Sequence, residues 1–268
     1  MAKIFFIGAG SMAEALIQGW IKNEVVEPQD IIVSNRSNTA RLEELQQTYQ
    51  VDLLQSYEQL QEATIIVLAM KPKDVYAAME TIAPFIPKQT AVLTLLAGIS
   101  IDTIENGLSK RPIARAMPNT SATIGLSATG VAFNEHMDAE RKLLILTLLK
   151  AVGTVVEVEE DKIHAITALS GSGPAYIYYL MEAFELVGEQ LGLSTQTVRS
   201  IMTQTIAGSA AMLQHVKEEP ARLRQKVTSP GGTTEAGIKA LNEHAFFETI
   251  AACVKSAETR SRQLAKEQ

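Results

Sequence analysis

In the first 160 residues, short apolar runs of strand length alternate with segments that carry apolar side chains at helical spacing. The apolar runs are 4–7, 31–34, 64–69, 91–95 and 113–116, and the helical segments include 12–22, 39–48 and 75–82. Two further strands are predicted at 130–133 and 154–158, on either side of a helix at 138–151. Repetition of strand, helix and strand requires crossovers, which place parallel strands in one sheet with helices on both faces. The sequence therefore predicts an α/β fold built on a parallel sheet.

After residue 160 the β-branched runs disappear, and helical periodicity continues to the C-terminus. Predicted helices cover 161–169, 174–191, 194–214, 220–227, 235–242 and 245–264. We therefore predict a sheet domain at 1–160 and an all-helical domain at 161–268. Small residues at helical spacing in the second domain, namely Ala207, Gly208, Ala210 and Ala211, fit either close core packing or a subunit interface.

Composition excludes several classes of function. The 24 lysine and arginine residues stand against 30 aspartate and glutamate residues, which gives a net charge of −6 and no basic stripe for nucleic acid. No stretch reaches the roughly 18 to 20 apolar residues of a membrane span. The single cysteine, Cys253, cannot form an intrachain disulfide, and the four histidines show no metal-ligand spacing. We expect a cytoplasmic protein with no metal site and no membrane or nucleic-acid partner.

A glycine-rich turn directly follows the first predicted strand and opens the first predicted helix. It reads Gly8-Ala9-Gly10-Ser11-Met12-Ala13. Gly8 allows a tight turn, Gly10 lets the backbone approach a pyrophosphate, and the helix N-terminus offers free N–H donors to that anion. A glycine turn without a ligand is the alternative, but the strand before it and the alternation after it favour dinucleotide binding.

The end of the second predicted strand distinguishes between cofactors. An NAD enzyme usually has an acidic residue there for the ribose hydroxyls, whereas this chain has Ser34-Asn35-Arg36-Ser37. The guanidinium of Arg36, with hydroxyl and amide neighbours, suits a 2′-phosphate. We expect NADP(H) to be the preferred cofactor, with NAD(H) as the alternative.

Three further loops lie at strand ends, where ligands of open α/β sheets bind. Ala69-Met70-Lys71-Pro72 follows the run at 64–69, and Met117-Pro118-Asn119-Thr120 follows the run at 113–116. The small residue Ala97 follows the run at 91–95. Simple solvation is the alternative for Lys71 and Asn119, but they share an edge with the glycine-rich turn.

A second glycine-rich turn lies between two predicted helices and reads Ser229-Pro230-Gly231-Gly232-Thr233-Thr234. The N–H groups of Gly231, Gly232 and Thr233, together with nearby hydroxyls, would form an anion nest for a small carboxylate. A structural Gly-Gly turn is the alternative.

Five motifs occur in order along nearly the whole chain. They are Phe6-Ile7-Gly8-Ala9-Gly10-Ser11-Met12-Ala13, Lys71-Pro72, Met117-Pro118-Asn119-Thr120, Leu169-Ser170-Gly171-Ser172-Gly173-Pro174-Ala175 and Ser229-Pro230-Gly231-Gly232-Thr233-Thr234. On these motifs the chain resembles the pyrroline-5-carboxylate reductases, which make proline. It departs from them at Ser11, where the family often has Asn, and at Met70, where Val is common.

The resemblance implies that 1–160 is a Rossmann domain for NADP(H) and that 161–268 is a helical domain for dimerisation and substrate binding. The activity implied is the NAD(P)H-dependent reduction of the cyclic imine 1-pyrroline-5-carboxylate to L-proline. Thr234 would bond the ring nitrogen, the turn at Ser229 to Thr233 would hold the substrate carboxylate, and Lys71 is a second candidate catalytic residue. The small residue Ala97 would leave room for the nicotinamide ring. The partners implied are a homodimer, with a ring of dimers as a further level of assembly, and one site would combine the cofactor of one protomer with the Thr234 loop of its partner.

Two other functions stay open at this point. Another NADP-dependent imine or β-hydroxyacid reductase would share the first glycine-rich turn but would carry a helix-borne lysine in the second domain, and no lysine lies between Ile163 and Val216. A non-catalytic NADP-binding regulator would keep Gly8 and Gly10 but would not need the turn at Ser229 to Thr234.

Overall fold

The computed structural model describes residues 2–267 and divides into two compact units. The sheet unit comprises Met1–Pro174 and Ser256–Gln268, and the helical unit comprises Ala175–Lys255. Met1 and Gln268, which the predicted domains include, lie outside the described residues.

The described part of the sheet unit contains one eight-stranded sheet. The strands are β1 (Ile4–Ile7), β2 (Ile31–Ser34), β3 (Asp52–Leu53), β4 (Ile65–Leu68), β5 (Ala91–Thr94), β6 (Ile113–Met117), β7 (Ser127–Phe133) and β8 (Gly153–Glu157). Their order is β3-β2-β1-β4-β5-β6-β7-β8. Neighbours are parallel except for β6 and β7. Strand order reverses between β1 and β4, which is the kind of switch point where open α/β sheets bind ligands.

Helices cover both faces of the sheet. They are α1 (Ser11–Lys22), α2 (Thr39–Tyr49), α3 (Val75–Ile82), α4 (Ile101–Leu108), α5 (Ala139–Lys150) and α6 (Ile163–Ile166). Side chains of α1, α2 and α5 join the core on one face, and those of α3, α4 and α6 join the core on the other. The fully buried Trp20 joins α1 to α5 because its indole N–H donates to the carbonyl of Leu148 at 2.8 Å.

The predicted α/β fold is confirmed, with three local differences. The strand β7 runs antiparallel to β6 because the connection at residues 118–126 is shorter than the dozen or so residues that a parallel crossover needs. The strand β3, which has only two residues, and the helix α4 were not among the predicted elements. A π-helical segment at Thr167–Gly171 interrupts the predicted helix at 161–169.

Five helices lie wholly or mostly in the helical unit. They are α7 (Gly173–Gln190), α8 (Thr195–His215), α9 (Pro220–Lys226), α10 (Thr233–Glu243) and α11 (Phe246–Lys266), whose last residues belong to the sheet unit. Gly192, at φ +83°, follows the end of α7, and the hydroxyl of Ser194 caps α8 by accepting from the N–H of Thr197. A Cβ at Gly188 would lie 2.3 Å from the side chain of Val198, so glycine permits close contact between α7 and α8.

The compact units divide at a different point from the predicted domains. The sheet unit extends to Pro174 and includes the end of α11 because His164 bonds to Ser261 at 2.9 Å and Arg262 pairs with Asp161 at 2.7 Å. The functional division at residue 160 stays a prediction. Within residues 2–267, no helix is both long and apolar enough to cross a membrane.

Candidate functional site

The first glycine-rich turn connects β1 to α1 at the switch point of the sheet. Gly8 has φ +112°, and a Cβ on it would lie 2.6 Å from backbone atoms of Ala69 and Met70. Its N–H donates to the carbonyl of Ser34 at 3.0 Å. Only glycine fits this position because both the backbone angle and the contact with the loop after β4 exclude a side chain.

Gly10 is the N-cap of α1 and leaves the helix N-terminus open. No side chain caps this end within the described residues, and a Cβ on Gly10 would meet only the carbonyl oxygen of Ala69, at 3.7 Å. Ser11 is exposed, and Met12 is half-buried beside it. The first N–H groups of a helix carry partial positive charge and lack intrahelical acceptors. This turn therefore fits the pyrophosphate of a dinucleotide.

The end of β2 lies beside the loop after β4. The hydroxyl of Ser34 donates to the carbonyl of Phe6 at 2.9 Å, and Asn35 is half-buried. Arg36 is 77% exposed, and its Nη1 donates to Oδ1 of Asp74 at 3.0 Å. One nitrogen of the guanidinium is used in this pair, so the remaining donors of Arg36 are available to a phosphate.

The loop after β4 brings Lys71 to the same edge of the sheet. The N–H of Ala69 donates to the carbonyl of Ile7 at 3.0 Å, which holds the start of this loop against β1. Met70 and Pro72 are half-buried, whereas Lys71 is exposed. The loop thus presents an ammonium group near the glycine-rich turn.

Asn119, at the end of β6, is held by internal hydrogen bonds. Its Nδ2 donates to the carbonyl and to the hydroxyl of Ser170 at 3.2 Å each, and its Oδ1 accepts from the N–H of Ser121. The amide group therefore links β6 to the π-helical segment, a contact that the sequence did not predict. Ala97 is half-buried in the loop after β5.

The second glycine-rich turn lies in the helical unit and leads into α10. Gly231 has φ +71°, and its N–H donates to the carboxylate of Glu235 at 2.8 Å. The N–H of Gly232 donates to the carbonyl of Ser229 at 3.0 Å. Two of the three predicted nest donors are thus used internally, and one of them already binds a carboxylate.

Thr233 and Thr234 are the first two residues of α10, with Gly232 as the N-cap. Both threonines are exposed. Because Thr234 lies inside the helix, its hydroxyl does not cap α10 and is available to a ligand.

A charged cluster that the sequence did not predict includes Arg115 of β6 and Glu160. Arg115 is buried, and its Nη1 pairs with Glu160 at 2.7 Å, while its Nε and Nη2 have no partner among the described residues. Burial lowers the pKa of the nearby His164, and the positive charges of Arg115 and Arg262 lower that pKa further.

No group of three or more metal-ligating side chains occurs in residues 2–267.

Two family models match the chain. A pyrroline-5-carboxylate reductase dimerisation model matches residues 160–264, and a model described as NADP oxidoreductase, coenzyme F420-dependent, matches residues 3–98.

Individual relatives match over the full length. Pyrroline-5-carboxylate reductase 2 of Bacillus subtilis is 41% identical over 270 residues, which cover 100% of this chain and 96% of the relative. The solved pyrroline-5-carboxylate reductase of Coxiella burnetii has a TM-score of 0.92 at 38% identity and covers 98% of both chains. The solved pyrroline carboxylate reductase of Plasmodium falciparum with NADP bound has a TM-score of 0.85 at 25% identity, again covering 98% of both chains.

Proposed function

The chain belongs to the pyrroline-5-carboxylate reductase family and is an oxidoreductase that reduces 1-pyrroline-5-carboxylate to L-proline with NADP(H), and on that premise we propose which of its residues do this work. The cofactor binds at the first glycine-rich turn and the neighbouring strand ends. The substrate binds at the second glycine-rich turn. The observation that carries the substrate assignment is the hydrogen bond from the N–H of Gly231 to a carboxylate.

The cofactor residues divide by the part of NADP(H) that they hold. The turn from Gly8 to Met12 holds the pyrophosphate because it offers an uncapped helix N-terminus. Ser34, Asn35 and Arg36 hold the 2′-phosphate end, since Arg36 keeps free guanidinium donors there. The remaining cofactor residues are Ala69, Met70, Lys71, Pro72, Ala97 and Asn119.

The substrate carboxylate binds at the turn formed by Ser229, Gly231, Gly232, Thr233 and Thr234. The Glu235 carboxylate, which accepts from the N–H of Gly231, supports this assignment because a substrate carboxylate could use the same donor. The N-terminus of α10 adds partial positive charge next to it. A substrate carboxylate would therefore compete with Glu235 for a donor that already exists.

Thr234 orients the imine through its exposed hydroxyl. Bound NADPH supplies the hydride that the imine carbon accepts. A protonated imine is already electrophilic, so the protein needs to orient it and to assist a proton at its nitrogen. The hydroxyl of Thr234 can donate a hydrogen bond to that nitrogen or accept one from its proton. Lys71 adds positive charge near the cofactor as a second candidate catalytic residue.

A stripe of apolar side chains on α7 supports a homodimer as the working form. The stripe consists of Ile177, Leu180, Phe184 and Val187 on α7 and of Leu191 directly after its end, where the N–H of Leu191 donates to the carbonyl of Val187 at 3.1 Å. The five follow one another at alternating spacings of three and four residues, and all are exposed, from 39% at Phe184 to 76% at Leu191. This spacing places the five side chains along one side of a helix, as in a helix–helix seam. We therefore assign the stripe to the contact between protomers.

The single cysteine fits the reducing cytoplasm that we propose as the compartment.

Replacing Thr234 tests the substrate assignment. We expect Thr234→Ala to lower kcat/KM for the imine by about 10- to 1000-fold, the range from one lost hydrogen bond to lost proton transfer. The Kd of NADPH should stay unchanged. Thr234→Ser keeps the hydroxyl and should recover most of the activity. A folded Thr234→Ala variant with normal kcat/KM would remove Thr234 from the site.

A further inference from the structure

Arg41, on α2, contacts the first glycine-rich turn through the backbone of Ala9. Its side chain is only 18% exposed. Its Nε donates to the carbonyl oxygen of Ala9 at 3.2 Å, its Nη1 donates to Glu44 at 2.7 Å, and its Nη2 donates to Glu14, on the first turn of α1. The hydroxyl of Tyr49 donates to the other oxygen of Glu14 at 3.1 Å. Each of the three guanidinium nitrogens thus has an acceptor.

The contact with Ala9 controls the direction of a neighbouring donor. The carbonyl of Ala9 and the N–H of Gly10 belong to one planar trans peptide group, so they point in opposite directions. Because Arg41 holds the carbonyl on its own side, the N–H of Gly10 points to the other side of the turn. Gly10 has no side chain to resist a peptide flip, and glycine populates positive and negative φ about equally. Gly10 itself therefore does not fix the orientation of the Ala9–Gly10 peptide group. That orientation depends on contacts with neighbouring residues.

Arginine suits this place better than any other cation. The guanidinium is planar and presents its donors in a rigid fork, so it can hold Ala9, Glu14 and Glu44 at the same time. The hydrogen bonds to Glu44 and Glu14 raise the pKa of Arg41, so the side chain stays charged. Lysine keeps the charge but cannot hold all three acceptors in one fixed arrangement.

We propose that Arg41 is a positioning residue for the cofactor pyrophosphate, because it fixes the Ala9–Gly10 peptide so that the Gly10 N–H and not the Ala9 carbonyl faces the phosphates. This inference rests on the assignment of the pyrophosphate to the first glycine-rich turn. The pyrophosphate is common to NADPH and NADH. Arg41 therefore supports both cofactors equally, whereas Arg36 discriminates between them.

Cofactor titration of the full-length protein tests this role. We expect Arg41→Gln to raise the Kd of NADPH and of NADH by the same factor, about 10-fold for a misaligned hydrogen bond to a charged group. The kcat at saturating cofactor and the KM of the imine should stay close to wild type. Arg141→Gln is the matched control, because Arg141 pairs with Asp138 at the start of α5. This control should change neither Kd.

Arg41→Lys provides a second test in case the Arg41→Gln variant does not fold. It retains the charge against Glu14 and Glu44, so we expect a folded protein with a smaller but still equal loss of both cofactors. Folded Arg41→Gln or Arg41→Lys with unchanged Kd values would overturn the proposal, even if the melting temperature fell. A loss confined to NADPH would also overturn it, because Arg41 would then be a ligand of the 2′-phosphate.

Gly10→Val separates this inference from the assignment on which it rests. If Gly10→Val binds both cofactors normally, the pyrophosphate does not lie at this turn and the proposed cofactor site fails. If Gly10→Val loses both cofactors while Arg41→Gln binds them normally, only the positioning role of Arg41 fails.

Discussion

The sheet unit and the helical unit differ in how they treat their apolar side chains. In the sheet unit, every residue of β1, β4, β5 and β6 is buried. In the helical unit, Gly188 and Val198 are the only buried residues of Ala175–Lys255, all of which the structure describes. The sheet unit thus closes its own core, whereas the helical unit leaves apolar side chains exposed to a degree that typically marks an interaction surface.

The two units should therefore respond differently to substitution. In the sheet unit, the first glycine-rich turn, which we propose as the cofactor site, is packed against neighbouring backbone, so its shape is fixed by contacts within one chain. In the helical unit, the second glycine-rich turn, which we propose as the substrate site, and the apolar stripe along α7 are both exposed. We expect substitutions in the sheet unit to act on stability and cofactor binding, and those in the helical unit to act on assembly and substrate binding.

Two glycines with positive φ provide the largest expected contrast. Gly8→Ala should destabilise the sheet unit by about 3 kcal/mol or more and abolish NADPH binding, because its Cβ would overlap backbone atoms of the loop after β4. Gly192→Ala should cost only about 1 kcal/mol, since nothing lies within 4 Å of its Cβ and only the backbone angle is unfavourable. Urea unfolding measures both values, and equal losses would contradict the contrast.

A charge on the apolar stripe should separate the protomers. We expect Phe184→Asp to shift the protein from dimer to monomer in sedimentation velocity at micromolar concentration, with helical content retained, because a buried unpaired carboxylate costs several kcal/mol. Leu68→Asp, a matched change at a fully buried residue of β4, should instead prevent folding. A Phe184→Asp variant that stays dimeric and active would exclude this side of α7 from the interface.

Removal of Arg36 should affect one cofactor far more than the other. Arg36→Ala is expected to weaken NADPH binding by about 1.5 to 3 kcal/mol, the value of a hydrogen bond to a charged group, which is about 10- to 150-fold in Kd. NADH should bind almost as before. Lys88→Ala, a change of another exposed cation in the sheet unit, is the control. Equal losses of NADPH and NADH would show that Arg36 does not hold the 2′-phosphate.

The smallest expected effect is a pH dependence of stability that arises in the sheet unit. Burial lowers the pKa of His164 below its usual 6.5, so the unfolded chain binds the proton more readily than the folded one. Stability should therefore fall as the pH drops below about 6.5, by at most about 1.4 kcal/mol per pH unit from this group. His164→Gln should remove this component from urea unfolding between pH 7 and 5. His215→Gln, at an exposed residue of the helical unit, should leave it in place.

Most of the sheet unit could be predicted from local patterns. The runs at 4–7 and 31–34 coincide with β1 and β2, and the predicted helix at 75–82 coincides with α3. These elements have strong periodicity or clear boundaries. Local patterns did not predict two features of the sheet. The strand β3 is too short to show a pattern, since it has two residues, and the direction of β7 depends on the length of the connection that precedes it.

The candidate site could be predicted in type but not in its internal partners. The sequence pointed to Arg36 and to the turn at Gly231, but not to Asp74 and Glu235, the acids that pair with them. Asn119 was predicted as a cofactor residue, and its hydrogen bonds to Ser170 were not. Each of these pairings depends on side-chain direction, which periodicity does not specify.

The alternation of strands and helices, the two glycine-rich turns and the family could all be recognised without a structure. These features depend on residues close together in the chain, because the spacing of apolar residues in a helix or strand, and of glycines in a turn, involves positions only a few residues apart. Two contacts became visible only in the folded chain. Arg41 donates to the carbonyl of Ala9, 32 residues away, and Arg36 pairs with Asp74 beyond the ends of β2 and β4. Such contacts form when the sheet brings distant segments to one edge, so their identity depends on strand order as well as on sequence.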